Sequence, residues 1–257
     1  MTAPDPDRPH FLWAQVEYDG TDFQGFQIQA QGRTVQGEIE RALQKLTQVP
    51  TRVVGAGRTD SGVHARGQMI AFRVRWRHRV ADLHRGLNAV LPADLSLPKM
   101  AEAPAGFHPR FSAVARMYRY TVWTGEFRSP LVARYAHHEA TTVNRAAMQQ
   151  AAQCVIGTHD FAAFGRAPQG ENTHRQVMRA DWSHQGQFLT FDIEANAFLY
   201  RMVRSLVGTM LWVGTGRLPP GAVEHILASA DRSLAAPPAP ACGLCLMQVI
   251  YPEGVLQ

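Results

Sequence analysis

The chain has 257 residues, 46% hydrophobic and 18% charged, a length for one large or two ordinary domains with enough apolar material for a sizeable core. Its net charge of +5 and pI near 9.4 favour an anionic partner. The most apolar stretch, "FLYRMVRSLVGTMLWVG" (198–214), is interrupted by Arg201 and Arg204, the proline-rich start carries no apolar signal segment, and three cysteines make no disulfide framework. A membrane span and a secretory leader are therefore not expected, and a reducing, cytoplasmic setting is.

In chain order, a polar tail over 1–10, expected to be disordered, leads into "FLWAQVEYDG" (11–20), which reads as a strand ending in Asp-Gly. Thr34 suits a helix N-cap, and "VQGEIERALQKL" puts Val35, Ile39, Leu43 and Leu46 on one helical face. "TRVVGAG" and "GQMIAFRVRW" read as strands joined by the loop around 58–66. "RVADLHRGLNAVL" has helical spacing up to Pro92, and "DLSLPKM" reads as another strand. The order β-α-β-β-α-β is the split ferredoxin-like unit.

The second half resembles the first in element order only. "ARMYRYTVWT" is a strand, "TVNRAAMQQAAQCVIG" a helix, and "QVMRADWSHQGQFLTFDIEA" a hairpin turning at Gln185-Gly186. Two helices follow, over 198–214 and 221–230, then the proline-rich linker "AAPPAPA" and a last strand, "GLCLMQVIYP". The fold class is α/β (α+β): two ferredoxin-like βαββαβ-type domains, with mainly antiparallel sheets flanked by helices. The N-terminal domain is expected over 11–106 and the C-terminal one over 107–257, with turn signals in "PAGFHPRF" between them.

"GAGRTDSGVHARGQ" (55–68) concentrates functional residue types. It is not a dinucleotide cradle, because Asp60 stands where a third glycine belongs. It is not a P-loop, because Val63-His64 follows Gly62 where Lys-Ser/Thr is required. A lone Asp-Ser-Gly is ordinarily a turn. Here Arg58 and Arg66 flank Asp60, and a cation beside a carboxylate keeps it ionised and available as nucleophile or base. Tyr118, beside Arg119, reads either as a sheet aromatic or as a stacking platform for a single-stranded base. Arg201 and Arg204 would share a helix face near its start, suited to a carboxylate, to phosphates or simply to solvent. Cys242 and Cys245 have CxxC spacing without a second ligand pair, so buried free thiols are expected rather than zinc, and no metal is expected. His137-His138 and His159-Asp160 read as surface or capping residues. Of the 26 basic residues only Lys45 and Lys99 are lysines. That choice suits forked phosphate contacts, and a codon bias towards arginine would produce it equally well.

Taken together, "GAGRTDSGVHARGQ", "FHPRFSAVARMYRY", "HDFAAF", "NAFLYRMVRSLVG" and "PACGLCL" resemble the tRNA pseudouridine synthase A family. With "EYDGTDFQGFQIQ" and "GLNAVLPADL", the resemblance runs from about residue 11 to 252. It implies an isomerase that converts uridine to pseudouridine at neighbouring positions in the anticodon stem-loop of tRNAs. It also implies no cofactor and no metal, and a homodimer with a basic RNA-binding cleft between the two domains of each subunit. By motif, Asp60 is the catalytic aspartate, Tyr118 packs on the target uracil, and Arg204 pairs with Asp60 and holds it charged. Arg58 takes the place of the flipped nucleotide and Leu244 lines the uracil pocket, with Arg66 and Arg201 as further RNA-binding residues. Two positions depart from the family pattern: Phe26, where tryptophan is commoner, and Cys245, where tyrosine often stands. Asp60 could attack the sugar, attack the uracil ring, or abstract the 2′ proton. The rival readings are a non-catalytic tRNA-binding module and a phosphotransferase using Asp60. The second lacks an acidic partner for magnesium.

Overall fold

A computed structural model describes residues 9–168 and 170–256; most of the tail expected over 1–10 lies outside the described residues. Two compact units divide the chain, Met1–Val114 with Leu246–Gln257, and Ala115–Cys245.

The first unit follows the expected order: β1 (His10–Tyr18), α1 (Val35–Thr47), β2 (Val53–Gly55), β3 (His64–Val74), α2 (Val80–Val90) and β4 (Leu95–Glu102). β1 lies between β4 and β3 and is antiparallel to both, with Leu12 opposite Phe72 on one side and Glu102 on the other. β2 pairs with the later part of β3, Val53 opposite Phe72 and Gly55 opposite Ile70. The earlier part of that edge is taken by β10 (Leu244–Ile250), where Gly67 lies against the Met247 carbonyl with no room for a Cβ. This pairing is why the last residues belong with the first unit and not, as the sequence reading had it, with 107–257. The Thr34 hydroxyl accepts from the Gly37 amide and caps α1, whose Val35, Ile39 and Leu43 are fully buried. α2 buries Leu83 and Leu87 and stops at Leu91, which is extended ahead of Pro92 as a residue preceding proline prefers.

The second unit contains β5 (Ala115–Trp123), β6 (His137–His138), α3 (Arg145–Gln153), β7 (Gly157–Asp160), β8 (His174–Gln185), β9 (Phe188–Ala195), α4 (Met202–Gly214) and α5 (Ala222–Ser229). The antiparallel order is β5-β9-β8-β7, and β6 pairs parallel to β5. The β8–β9 hairpin turns at Gly186, whose φ of 59° is the left-handed conformation the Gln-Gly pair announced. β6 and β7 were not expected, being too short to show a period. The start of α4 is corrected from 198 to Met202. The Tyr200 amide donates to the Arg166 carbonyl at 2.9 Å, which holds the chain extended, and Arg201 then reverses it at φ 63°. A non-glycine residue there costs about 1–2 kcal/mol. α4 buries nearly its whole circumference, so apolar residues mark every face and its periodicity is faint. The chain is thus mixed α/β, with mainly antiparallel strands flanked by helices. Among the described residues no helix is long and apolar enough to cross a membrane.

Candidate active site

Asp60 lies in the loop from β2 to β3, and that loop is held by main-chain bonds and a few short side chains. The Ala56 amide donates to the Met69 carbonyl at 2.8 Å, and the buried side-chain amide of Gln68 to the Gly57 carbonyl at 3.0 Å. A second loop, 19–26, closes over it. The Phe26 amide donates to the Thr59 carbonyl at 3.1 Å, and the Gly62 amide and Ser61 hydroxyl both donate to the Phe23 carbonyl. The hydroxyls of Tyr18 and Thr59 meet at 2.8 Å in the interior. Two glycines make this approach possible. Gly20 lies against the Val63 backbone, and Gly25, at φ 80°, would put a Cβ 2.7 Å from the Thr59 carbonyl oxygen. Phe23 and Phe26 are buried beneath, each worth roughly 1.5–3 kcal/mol. Phe26 packs on Gly55.

Arg33 fixes the outer loop. Its guanidinium forks onto the Asp94 carboxylate at 2.6 and 2.7 Å, its Nε donates to Glu38 at 2.8 Å, and its carbon lies 4.1 Å from the Phe23 ring centre. The same pairing holds the Asp94 carboxyl below the usual carboxylate range. Asp60 is half-buried, Arg58 is exposed, and Arg66 is an exposed residue of β3 whose Nε lies 3.8 Å from Glu17. The braced loop thus presents one carboxylate on a rigid frame with a free-standing arginine two residues before it.

In the second unit, Tyr118 is half-buried in β5, and Phe198 meets it edge-on at 5.1 Å between ring centres. Tyr120, on the same face, is fully buried, and its hydroxyl donates to the Pro240 carbonyl at 2.8 Å. Burial pushes its phenol far above the usual range, so it stays neutral. Gly243 backs directly onto that ring, where a Cβ would come within 2.6 Å, and Leu244 follows, buried. Arg119 points away from this face and grips Asp192 at 2.7 and 2.8 Å.

Arg204 is in the first turn of α4. Its Nε donates to the Ala239 carbonyl at 2.6 Å, while the Ala239 amide donates to the Arg204 carbonyl at 2.9 Å. One turn on, Gly208 lies against the Pro237 carbonyl, and the buried Thr209 hydroxyl accepts from the Ala236 amide at 3.1 Å. The proline-rich 235–241 therefore forms a strap bound along α4 and not the plain linker its composition suggested. Arg201 does not share a helix face with Arg204, as expected from a longer helix. It lies outside α4, with its guanidinium over the Tyr200 ring at 4.9 Å. Phe198 and the strap were both missed. Phe198 sat inside a stretch read as helix, and prolines and alanines carry no motif.

Cys154, Cys242 and Cys245 are all half-buried thiols, where the last two were expected to be buried. Among the described residues no three His, Cys, Asp or Glu side chains are grouped to hold a metal. Asp160 accepts from the Ala162 amide at 2.9 Å, a capping contact.

Residues 14–112 and 151–252 match the family model described as tRNA pseudouridine synthase, and the chain belongs to that family. The relatives it resembles carry the name tRNA pseudouridine synthase A. That of Roseiflexus castenholzii is 48% identical over 93% of this chain and 90% of its own length. That of Moorella thermoacetica is 44% identical over 92% and 97%, and that of Klebsiella pneumoniae 40% identical over 92% and 88%. A solved H/ACA ribonucleoprotein bound to a substrate RNA containing 2′-deoxyuridine is 12% identical, with a TM-score of 0.34 over 83% of this chain and 50% of that one.

Proposed function

We propose that Asp60 is the catalytic carboxylate of this chain, which as a tRNA pseudouridine synthase isomerises uridine to pseudouridine in tRNA, here in the anticodon stem-loop. The observation that carries the assignment is the double-loop brace, which fixes the backbone on both sides of Asp60. A group that must meet one sugar or base in one orientation needs such a frame.

The reaction breaks the bond from ribose to the uracil nitrogen, turns the base, and joins its carbon-5 to the sugar. Three first steps are open to Asp60: attack on the sugar, attack on the ring, or removal of the 2′ proton. Each requires an ionised carboxylate. Tyr118, steadied by Phe198, packs against the uracil, Leu244 lines the base pocket, and Arg204 serves the same uridine by keeping the site cationic. A target inside a stem must first be flipped, costing a few kcal/mol of unstacking, and Arg58 stacks in the vacated place. Arg66 and Arg201 contact phosphates. The chain works without cofactor or metal, as a homodimer in the cytoplasm. The support for these roles is the position of each residue in the matching motifs.

The test is release of hydrogen from uracil carbon-5 in labelled tRNA, without added metal. Asp60→Asn should lose turnover by about a thousandfold or more, the upper range for a single acid–base group, while still binding tRNA. Turnover within about tenfold of wild type, below the range for losing such a group, removes Asp60 from the chemistry.

A further inference from the structure

At the end of β3 away from Asp60 the chain reads "RVRWRHR" (73–79), with four arginines, one histidine and no acid. Arg73, Arg75, Arg77, His78 and Arg79 are all exposed. The segment is ordered: the Trp76 indole donates to the Arg79 carbonyl at 3.1 Å, and the His10 ring bonds the Trp76 carbonyl at 3.2 Å. The nearby acids are already engaged. Asp82 is paired with Arg79 and Arg85, and Glu102 is held by His10 at 2.5 Å. Arg73 lies over the Phe11 ring at 4.4 Å, and neither Arg75 nor Arg77 has an acidic partner among the described residues. A folded turn that sets Arg75 and Arg77 beside two further arginines gains nothing in stability from those two; neighbouring cations repel.

We infer that 73–79 is a second RNA-contacting surface, which binds phosphates of the same tRNA at a distance from the reacting uridine. This rests on the proposed tRNA reading. At ~3.3 Å per residue, β3 carries the arginines about 30 Å from its catalytic end. β3 ends at Val74 and the chain bends at Arg77 and His78, so the exposed side chains of Arg73, Arg75 and Arg77 are gathered in the short stretch around one strand end. A polyanion fits such a cluster of cations, and guanidinium groups fork onto phosphate oxygens. Contacts of this kind add affinity and register and carry no sequence information.

The test measures tRNA affinity against salt for wild type, for Arg75→Gln/Arg77→Gln, and for the charge-keeping Arg75→Lys/Arg77→Lys. Arg217→Gln/Arg232→Gln, which removes two exposed arginines elsewhere, is the control. The glutamine pair should flatten the slope of log affinity against log salt by about 1.5–2 and weaken binding tenfold or more at physiological salt. The lysine pair should keep most of the slope, and the control all of it. An unchanged slope in the glutamine pair overturns the proposal and leaves the run to some other anion, such as an acidic protein. An equal loss in the lysine pair overturns it too, because charge is then not the cause. If wild type neither binds nor modifies tRNA, the function reading itself fails, which is a separate result.

Discussion

The Asp60 loop and the Arg204 turn are held by opposite means. Around Asp60 the protein uses glycine: two backbones come close enough to bond directly because Gly20 and Gly25 carry no side chain. Around Arg204 it uses proline and alanine, and a strap with few amide hydrogens of its own offers carbonyls to the arginine, to Tyr120 and to the turn at Gly208. The first device makes a carboxylate's backbone rigid. The second orients a long, flexible cation that has much rotamer freedom to lose. A short side chain is positioned by its backbone and a long one by what it touches at the far end.

Substitutions can break this comparison, beginning with the largest effect. Gly25→Ala inserts a methyl against the Thr59 carbonyl at a φ that alanine resists. It should cost about 1–3 kcal/mol in a urea melt and about a hundredfold in turnover, far more than its stability loss alone would produce at assay temperature. Unchanged turnover would mean that the brace does not serve Asp60. Arg204→Lys should follow, with a tenfold to hundredfold loss of turnover, since lysine lacks the planar guanidinium whose Nε–H donates to Ala239. Thr209→Val leaves the Ala236 amide without its acceptor. It should cost about 1–2 kcal/mol of stability and only a few-fold in rate, with Thr209→Ser restoring both. If valine cost as much turnover as Gly25→Ala, the strap would be as rigid a frame as the glycine brace.

The smallest effect is on acid stability. Asp94 is held below the usual carboxylate range by Arg33, so the folded state binds its proton less readily than the unfolded chain does. The stability this pair contributes is fully present above the unfolded carboxylate pKa and is lost as pH falls through the depressed folded value. Urea midpoints measured downward from pH 6 should show that loss, and Asp94→Asn should be weaker at pH 6 yet fall less steeply than wild type through the same acid range.

The parts of this molecule written in local chemistry were legible. Thr34 announced its cap, Pro92 its stop, and Gln185-Gly186 its turn, because in each the residue type itself demands a backbone state. Asp60, Tyr118 and Arg204 stood out only as pieces of motifs, and their roles rest on resemblance. What stayed hidden depended on partners distant in sequence. Arg201 leaves the helical conformation because Tyr200 bonds to Arg166, and nothing near 198–204 records that. The strap looked like filler because carbonyl acceptors belong to every residue. β7 was invisible because its four residues pair only once β8 is in place.

The edge of β3 taken by the last strand has a consequence for synthesis. A nascent chain emerging from the ribosome exposes the first unit early, with the Asp60 loop and its brace already available to it. Yet the strand that covers the start of β3 includes Met247, translated only after the whole of the second unit. Until then an unpaired row of amides and carbonyls at that edge is open to other strands, a known route to aggregation. The growing polypeptide carries its first unit unfinished until β10 has been made, so a chain cut short of that strand is an adhesive product and not a merely shortened one.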